Sequence, residues 1–347
     1  MSAPQGLLLD YPFDAPPAPG QAREVAPRMF WLRMPLPFAL DHINLWLLKE
    51  ADSITQIDCG YGDAATRELW TEHFKTTLDG RPITRIVATH CHPDHLGNAK
   101  WLSDRFGAAV AMTEAEFLAA HAIIDQRATH GVTDTCALFR RHGMSDDHVT
   151  ALAARGNHYK NGVPEAPQHF ERLISGDAFS AGGTTWRVIP GFGHSPEHAA
   201  LHAQERGVLI AGDMLLPKIT TNVAVWPVEP DGDPLARFLN SLTAFKLLPP
   251  DTLVLPSHGL PFRGISLRVA QLRAHHAARL NELAEAVVSA QAPQSAADVI
   301  PVLFRRPLDM QQRFFAMGEA IAHLNHLWHA GRIKRVIEPD EAIRFTA

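Results

Sequence analysis

Apolar residues arrive in short, dense runs through the first two thirds of this chain and at helical spacing through the last third. Residues 29–34, 43–48 and 53–58 are brief stretches rich in apolar, β-branched or aromatic side chains. Pro35 closes the first and Cys59-Gly60 follows the third, and all three are predicted strands. A helix is expected over 64–77. Residues 85–89 form an apolar run without alternation, the pattern of a strand buried on both faces, and a helix over 96–106 follows. Thr113 is an expected helix N-cap, with Glu116 at capping-box spacing. From 113 to 170 the pattern is helical and irregular. It interrupts the β-rich reading, so it is taken as an inserted cap. Strands resume over 186–190, 199–202, 208–211 and 253–256, with a helix over 234–246.

The character changes near Phe262. Residues 267–289 carry Ala and Leu at helical spacing. Ser295 and Asp298 resemble a capping box opening a short helix to 304. A further helix over 311–330 keeps Phe314, Phe315, Met317, Ile321, Leu324 and Leu327 near one face, with Gly331 as its stop. Two short strands around Glu338-Pro339-Asp340 complete a winged-helix outline. The expected organisation is a Pro-rich lead-in over 1–27, a catalytic domain over 28–262 with the cap at 113–170, and a winged-helix-like domain over 263–347.

Composition narrows the function classes. The chain has 347 residues, 46% of them hydrophobic, and a net charge of −5, so nothing global signals nucleic acid or an anionic membrane. Three cysteines imply no disulfide framework. Leu7-Leu8-Leu9 is too short for a signal peptide, and no window approaches 18 uninterrupted apolar residues. A reducing cytoplasm is the expected location.

Candidate chemistry concentrates after the strand at 85–89. His90, His92, Asp94 and His95 place three imidazoles and a carboxylate within six residues. Buried together, each would need a polar partner in a small space, and a divalent metal supplies it. Three further candidates each follow a short apolar strand and lie beside a glycine: His194, Asp213 and His258.

This order of residues resembles the metallo-β-lactamase superfamily, with a glyoxalase II-like metal motif, over roughly 28–262. The resemblance implies an α/β (α+β) fold, an αββα sandwich of two mixed sheets with helices outside. It implies two divalent ions, zinc first, with manganese or iron as alternatives. His90, His92 and His194 would hold one ion. Asp94, His95 and His258 would hold the other, and Asp213 would bridge them. Asp58 would support the metal loop from outside the ligand set, and Asp94 would also aim the attacking hydroxide. Residues 263–347 resemble the winged-helix segment of one branch of the superfamily, on His275-His276-Ala277-Ala278-Arg279-Leu280, the run from Gly318 to Leu324 and the final hairpin.

The function implied is hydrolysis by a metal-bridging hydroxide, on a thioester, ester or lactone carbonyl. The acyl group would be carried by glutathione, coenzyme A or a carrier protein. A metal-dependent endoribonuclease is the alternative, since the same branch contains such enzymes. Against it, the Arg and Lys residues of the tail are offset by Glu319, Glu338, Asp340 and Glu341. Lys218, His158, Tyr159, Trp226 and His42 are the expected substrate contacts, and a homo-oligomer is the expected assembly. Cys91 is read as a filler facing the core, and His275, His276 and His323 as helix-surface or interdomain residues.

Overall fold

The computed structural model describes residues 8–347. Seven strands form one mixed sheet, in which Arg23–Ala26, Met29–Pro35, His42–Lys49, Ile54–Ile57, Ile83–Val87, Ala109–Met112 and Glu171–Arg172 lie side by side in chain order. A second sheet of five strands runs Leu253–Pro256, Val208–Gly212, His198–Ala203, Thr184–Gly191, Ala178–Ala181.

Period-two burial explains why these sheets stack. Met29 and Trp31 point into the layer between the sheets, where Trp46, Leu48, Trp186, Val188, Leu201, Ile210 and Leu255 meet them. The alternate residues Leu32, Met34, Ile43, Leu45 and Leu47 face the other way, onto helices that supply Trp70, Leu96 and Leu102. On the second sheet Leu209, Ala211 and Val254 likewise turn outward, onto Leu235, Phe238 and Leu242 of the helix Pro234–Lys246. Both faces of both sheets are covered, which gives four layers.

That outer core does not stop at residue 262. It continues without a break into Ile265, Leu272, Leu283, Ile321, Leu324 and Leu327. The helices Ile265–Ser289, Ala296–Leu303 and Met310–His329, with the antiparallel pair Lys334–Ile337 and Ile343–Thr346, therefore pack as an outer layer of the same body. Ser295 and Asp298 do form the capping box read from the sequence.

Several strands escaped the sequence reading. Arg23–Ala26 lies inside the presumed lead-in and pairs antiparallel with Met29–Pro35. Ala109–Met112 and Ala178–Ala181 are Ala-rich and only four residues long, so neither propensity nor alternation marks them. The helix expected over 96–106 is broken into Pro93–Leu96 and Ala99–Phe106. Asn98 sits at the break and spends its side-chain amide on the Tyr61 carbonyl at 2.7 Å.

Between Thr113 and Phe170 lie four helices: Glu114–Ile124, Val132–Arg141, Asp146–Arg155 and Tyr159–Gly162. The capping box expected at Thr113 does not form. Its hydroxyl donates instead to the Glu197 carbonyl at 2.7 Å. Glu116 is likewise recruited elsewhere, by the loops of the site.

Candidate metal centre

Strand direction decides where the site lies. Ile54–Ile57 runs parallel to Ile83–Val87, and Val208–Gly212 runs parallel to Leu253–Pro256. Thr184–Gly191 shares the direction of Val208–Gly212, because each pairs antiparallel with the strand between them. The carboxyl ends of these strands meet at one edge of the sandwich. Asp58, His90, His194, Asp213 and His258 all stand on the residues that follow them.

Two glycines let the loops close. Gly212 has φ +54°, and a Cβ there would collide with the His198 ring. Gly193 has φ +97°, and a Cβ there would collide with the Pro234 carbonyl. Asp58 adopts φ +57°, a left-handed conformation that Asp tolerates better than most side chains.

The structure brings the candidate side chains into two adjoining groups, one of His90, His92, His194 and Asp213, the other of Asp94, His95 and His258. In each group the donor atoms lie within 4.8 Å of one another. His90 Nε2 stands 2.9 Å from His92 Nδ1 and 3.2 Å from His194 Nε2. Two ligands held tetrahedrally at zinc distances would stand about 3.3 Å apart. Asp213 turns one oxygen to each group. Its Oδ2 is 3.3 Å from His194 Nε2, and its Oδ1 is 3.4 Å from His258 Nε2 and 3.6 Å from His95 Nε2. His95 Nε2 and Asp213 Oδ1 are buried without any hydrogen-bond partner. Orphaned atoms of this kind, aimed at one another, fit divalent cations.

The far side of three of these rings is already committed, which leaves the inward nitrogen free. His95 Nδ1 lies 2.8 Å from Asp58 Oδ2, His194 Nδ1 lies 2.8 Å from the Asn222 carbonyl, and His258 Nδ1 lies 2.8 Å from the His42 carbonyl. Asp58 also accepts from the Thr89 amide and hydroxyl at 2.7 and 2.9 Å. Burial holds the His92 imidazole down to about 3, which keeps it in the neutral form that binds metal. Burial opposes charge on His95 too, but Asp94, Asp58 and Asp213 outweigh it and lift that ring to about 9. Replacing Asp58 by Ala frees the His95 ring to turn and is expected to weaken metal retention about 10- to 100-fold. Competition with a chromogenic chelator measures this, and an unchanged affinity would remove Asp58 from the support of the site.

Several supporting residues were not singled out from the sequence. Glu116, buried, accepts from the Cys91 amide at 2.9 Å, the Glu197 amide at 2.7 Å and the Ser195 hydroxyl at 2.5 Å. It therefore clamps the loop bearing His90 and His92 to the loop bearing His194. In the sequence it looked like half of a capping box, and only its burial reveals the other use. His198 backs the site, accepting from the Asp213 amide at 3.3 Å.

Asn222, whose carbonyl orients His194, donates its side-chain amide to Glu319 at 3.0 Å. Glu319 belongs to the helix Met310–His329, and burial, against the pull of the Asn222 hydrogen bond, pushes its carboxyl up to about 7. A carboxyl raised from 4.5 contributes stability that is complete below pH 4.5 and lost as pH rises through 7. Glu319→Gln is therefore expected to flatten the decline in stability across that window. The residue keeps partial solvent exposure, so the effect is smaller than full burial would give. Thermal unfolding of both proteins across the window tests it, and parallel profiles would contradict it.

A mostly apolar cavity of about 1030 Å³ opens on the site, with His92 and His194 in its lining. Of the expected substrate contacts, His158, Tyr159 and Trp226 line it. Tyr159 also donates its hydroxyl to the Cys91 carbonyl at 2.5 Å. Lys218 and His42 are not in the lining. Lys218 is exposed to solvent. His42 braces the His258 loop, since its carbonyl holds His258 and its Nε2 accepts from the Gly259 amide at 2.9 Å. The Cys91 thiol is buried, as are His276 and His323, which face each other at 3.3 Å, whereas His275 is exposed.

Comparison with known proteins agrees with this geometry. The metallo-β-lactamase superfamily model matches residues 40–258, and the model for the metallo-β-lactamase-like C-terminal domain matches residues 280–347. A β-lactamase domain protein from Burkholderia ambifaria is 47% identical, with TM-score 0.89, over 97% of this chain and 98% of that one. A metallo-β-lactamase family protein from Thermus thermophilus is 30% identical, with TM-score 0.78, over 93% of this chain and 99% of that one. A probable metallo-hydrolase of Bacillus subtilis is 24% identical over 90% of this chain and 92% of its own length. The acyl-coenzyme A thioesterase MBLAC2 of Homo sapiens is 28% identical over 54% of this chain and 63% of its own length. The chain belongs to the metallo-β-lactamase superfamily.

Proposed function

We propose that this metallo-hydrolase cleaves an acyl bond, a thioester ahead of an ester or lactone, with two zinc ions held by the His/Asp groups. One observation carries the reading: two donor groups meet at Asp213, and His92 and His194 of one of them line a mostly apolar cavity. When bound, two divalent ions would bring the pKa of a water down towards neutrality and polarise the scissile carbonyl.

The chain's own residues do the rest. Asp213 spans the two groups and keeps them at a fixed separation. Asp94 presents Oδ2 at 3.4 Å from His258 Nε2, with its side chain partly open to solvent, so it can accept and pass on a proton at the site. The apolar walls keep bulk water from the bond. The likeness to an acyl-coenzyme A thioesterase supports the choice of a thioester. The donor set suits zinc, and it also accepts manganese or iron.

A nuclease reading finds no comparable support. The lining offers two guanidiniums, Arg155 and Arg237, and Arg237 is already paired with Glu229. A polyphosphate backbone calls for several free cations. Thiol release from a panel of acyl-glutathione and acyl-coenzyme A thioesters by zinc-loaded protein tests the proposal. Turnover that a chelator abolishes and zinc restores is expected. Silence across the panel from protein with its metal bound would refute the thioester reading.

A further inference from the structure

The cavity is far larger than a reacting carbonyl needs, and its walls are drawn from three separate parts of the fold. Leu118 and Ile123 come from the helix Glu114–Ile124, and Leu152 from the helix Asp146–Arg155. Trp226 comes from the loop that follows Asn222, and Phe314 and Phe315 from the C-terminal helix Met310–His329. At about 1030 Å³ it stands at the upper end of small-molecule sites. Apolar atoms make up most of its exposed lining. His92 and His194 mark the reacting end. Among described residues Arg155 forms no ion pair, and its guanidinium lies 6.0 Å from the Phe314 ring centroid. Phe315 and Leu118 keep 41% and 57% of their surface exposed, so the apolar lining reaches the cavity's open edge.

A short or hydroxylated acyl group would leave most of these walls against water. A sugar or nucleotide would set most of its polar atoms against apolar walls. We infer that the cavity is an acyl-chain site for a long aliphatic acyl group, whose carbonyl lies by His92 and His194 while its chain runs between the inserted helices and the C-terminal helix. The inference rests on the acyl-hydrolase reading and adds the class of acyl group. It also gives the C-terminal segment a part in substrate choice, through Phe314 and Phe315.

Each methylene taken from water into such a site contributes about 0.8 kcal/mol, or roughly fourfold in kcat/KM. The experiment compares butanoyl, octanoyl, dodecanoyl and hexadecanoyl thioesters of coenzyme A with the zinc-loaded full chain. In parallel, calorimetry follows binding of the corresponding free fatty acids. The expected result is kcat/KM rising with chain length until the cavity is full, and fatty-acid affinity rising with it. Ala122→Phe, at a small residue of the lining, should lower the hexadecanoyl-to-butanoyl ratio of kcat/KM at least tenfold. Phe315→Asp, at an exposed position that tolerates a charge, should lower the same ratio if the first variant folds poorly. Length-dependent fatty-acid binding without thioester turnover would overturn the reaction proposed above and leave the acyl-chain site standing. Turnover and binding that are both indifferent to length would overturn the acyl-chain site and leave the reaction standing.

Discussion

Asp213→Ala is expected to lower turnover about a thousandfold or more and to cost the protein at least one of the two metals proposed for the site. The carboxylate faces imidazoles of both donor groups at 3.3 and 3.4 Å, and no other described carboxylate does so. Removing it leaves His194 without an anion shared with the other group, while His95 and His258 keep only Asp94 between them. The several kcal/mol that metal ions contribute to stabilising charge in a transition state corresponds to that loss. Metal content per chain and kcat on one accepted substrate measure it together. Retention of two metals with full activity would end the bridging assignment. Retention of two metals with lost activity would recast Asp213 as a group that positions water.

Removal of residues 263–347 is expected to abolish the native fold of what remains. The sequence presents this segment as a separate unit with its own three helices and hairpin. In the structure its apolar side chains share one core with Leu235, Phe238, Leu242 and Phe262. Polar ties cross the same boundary. Arg268, on the helix Ile265–Ser289, donates to the carbonyls of Leu216 and Ile219 at 2.5 and 2.7 Å, and Val225 donates to the Gly318 carbonyl at 3.0 Å. Each buried aliphatic side chain exposed by the cut costs about 1.5–3 kcal/mol. A domain's entire margin is about 5–15 kcal/mol, so losing a handful of such contacts is enough. Soluble yield and a thermal melt of residues 1–262 decide the matter. A cooperative melt near that of the full chain would show that the shared core is dispensable.

Much of the metal site was legible because ligand chemistry leaves a local trace. His90 to His95 are crowded within six residues, and His194, Asp213 and His258 each follow an apolar run and touch a glycine. The strands were legible for a related reason, since burial on both faces makes 43–48 and 208–211 almost wholly apolar. What escaped was the support. Glu116 and Asn222 act across long sequence separations, reaching Ser195 79 residues away and Glu319 97 residues away. Nothing in their immediate neighbours distinguishes them from a helix-cap residue and a loop asparagine. His42 and Lys218 fall outside the cavity lining for the opposite reason. Proximity in sequence to the site's strands suggested them, but their side chains do not face the cavity.

The clamp at Glu116 has a mechanical consequence for how substrate enters. The first cap helix is anchored at its base to Cys91, Ser195 and Glu197, and Tyr159 fastens the end of the cap to Cys91 again. Cys91 lies between His90 and His92. A cap swinging outward as a rigid lid would pull on the residue that separates two donor side chains and would disturb the metal geometry at every turnover. The cap is thus a fixed roof. The stretch between its first two helices is built differently: Gln126, Ala128 and Thr129 hold left-handed backbone angles at the surface, and no hydrogen bond among the described residues ties them to the metal loops.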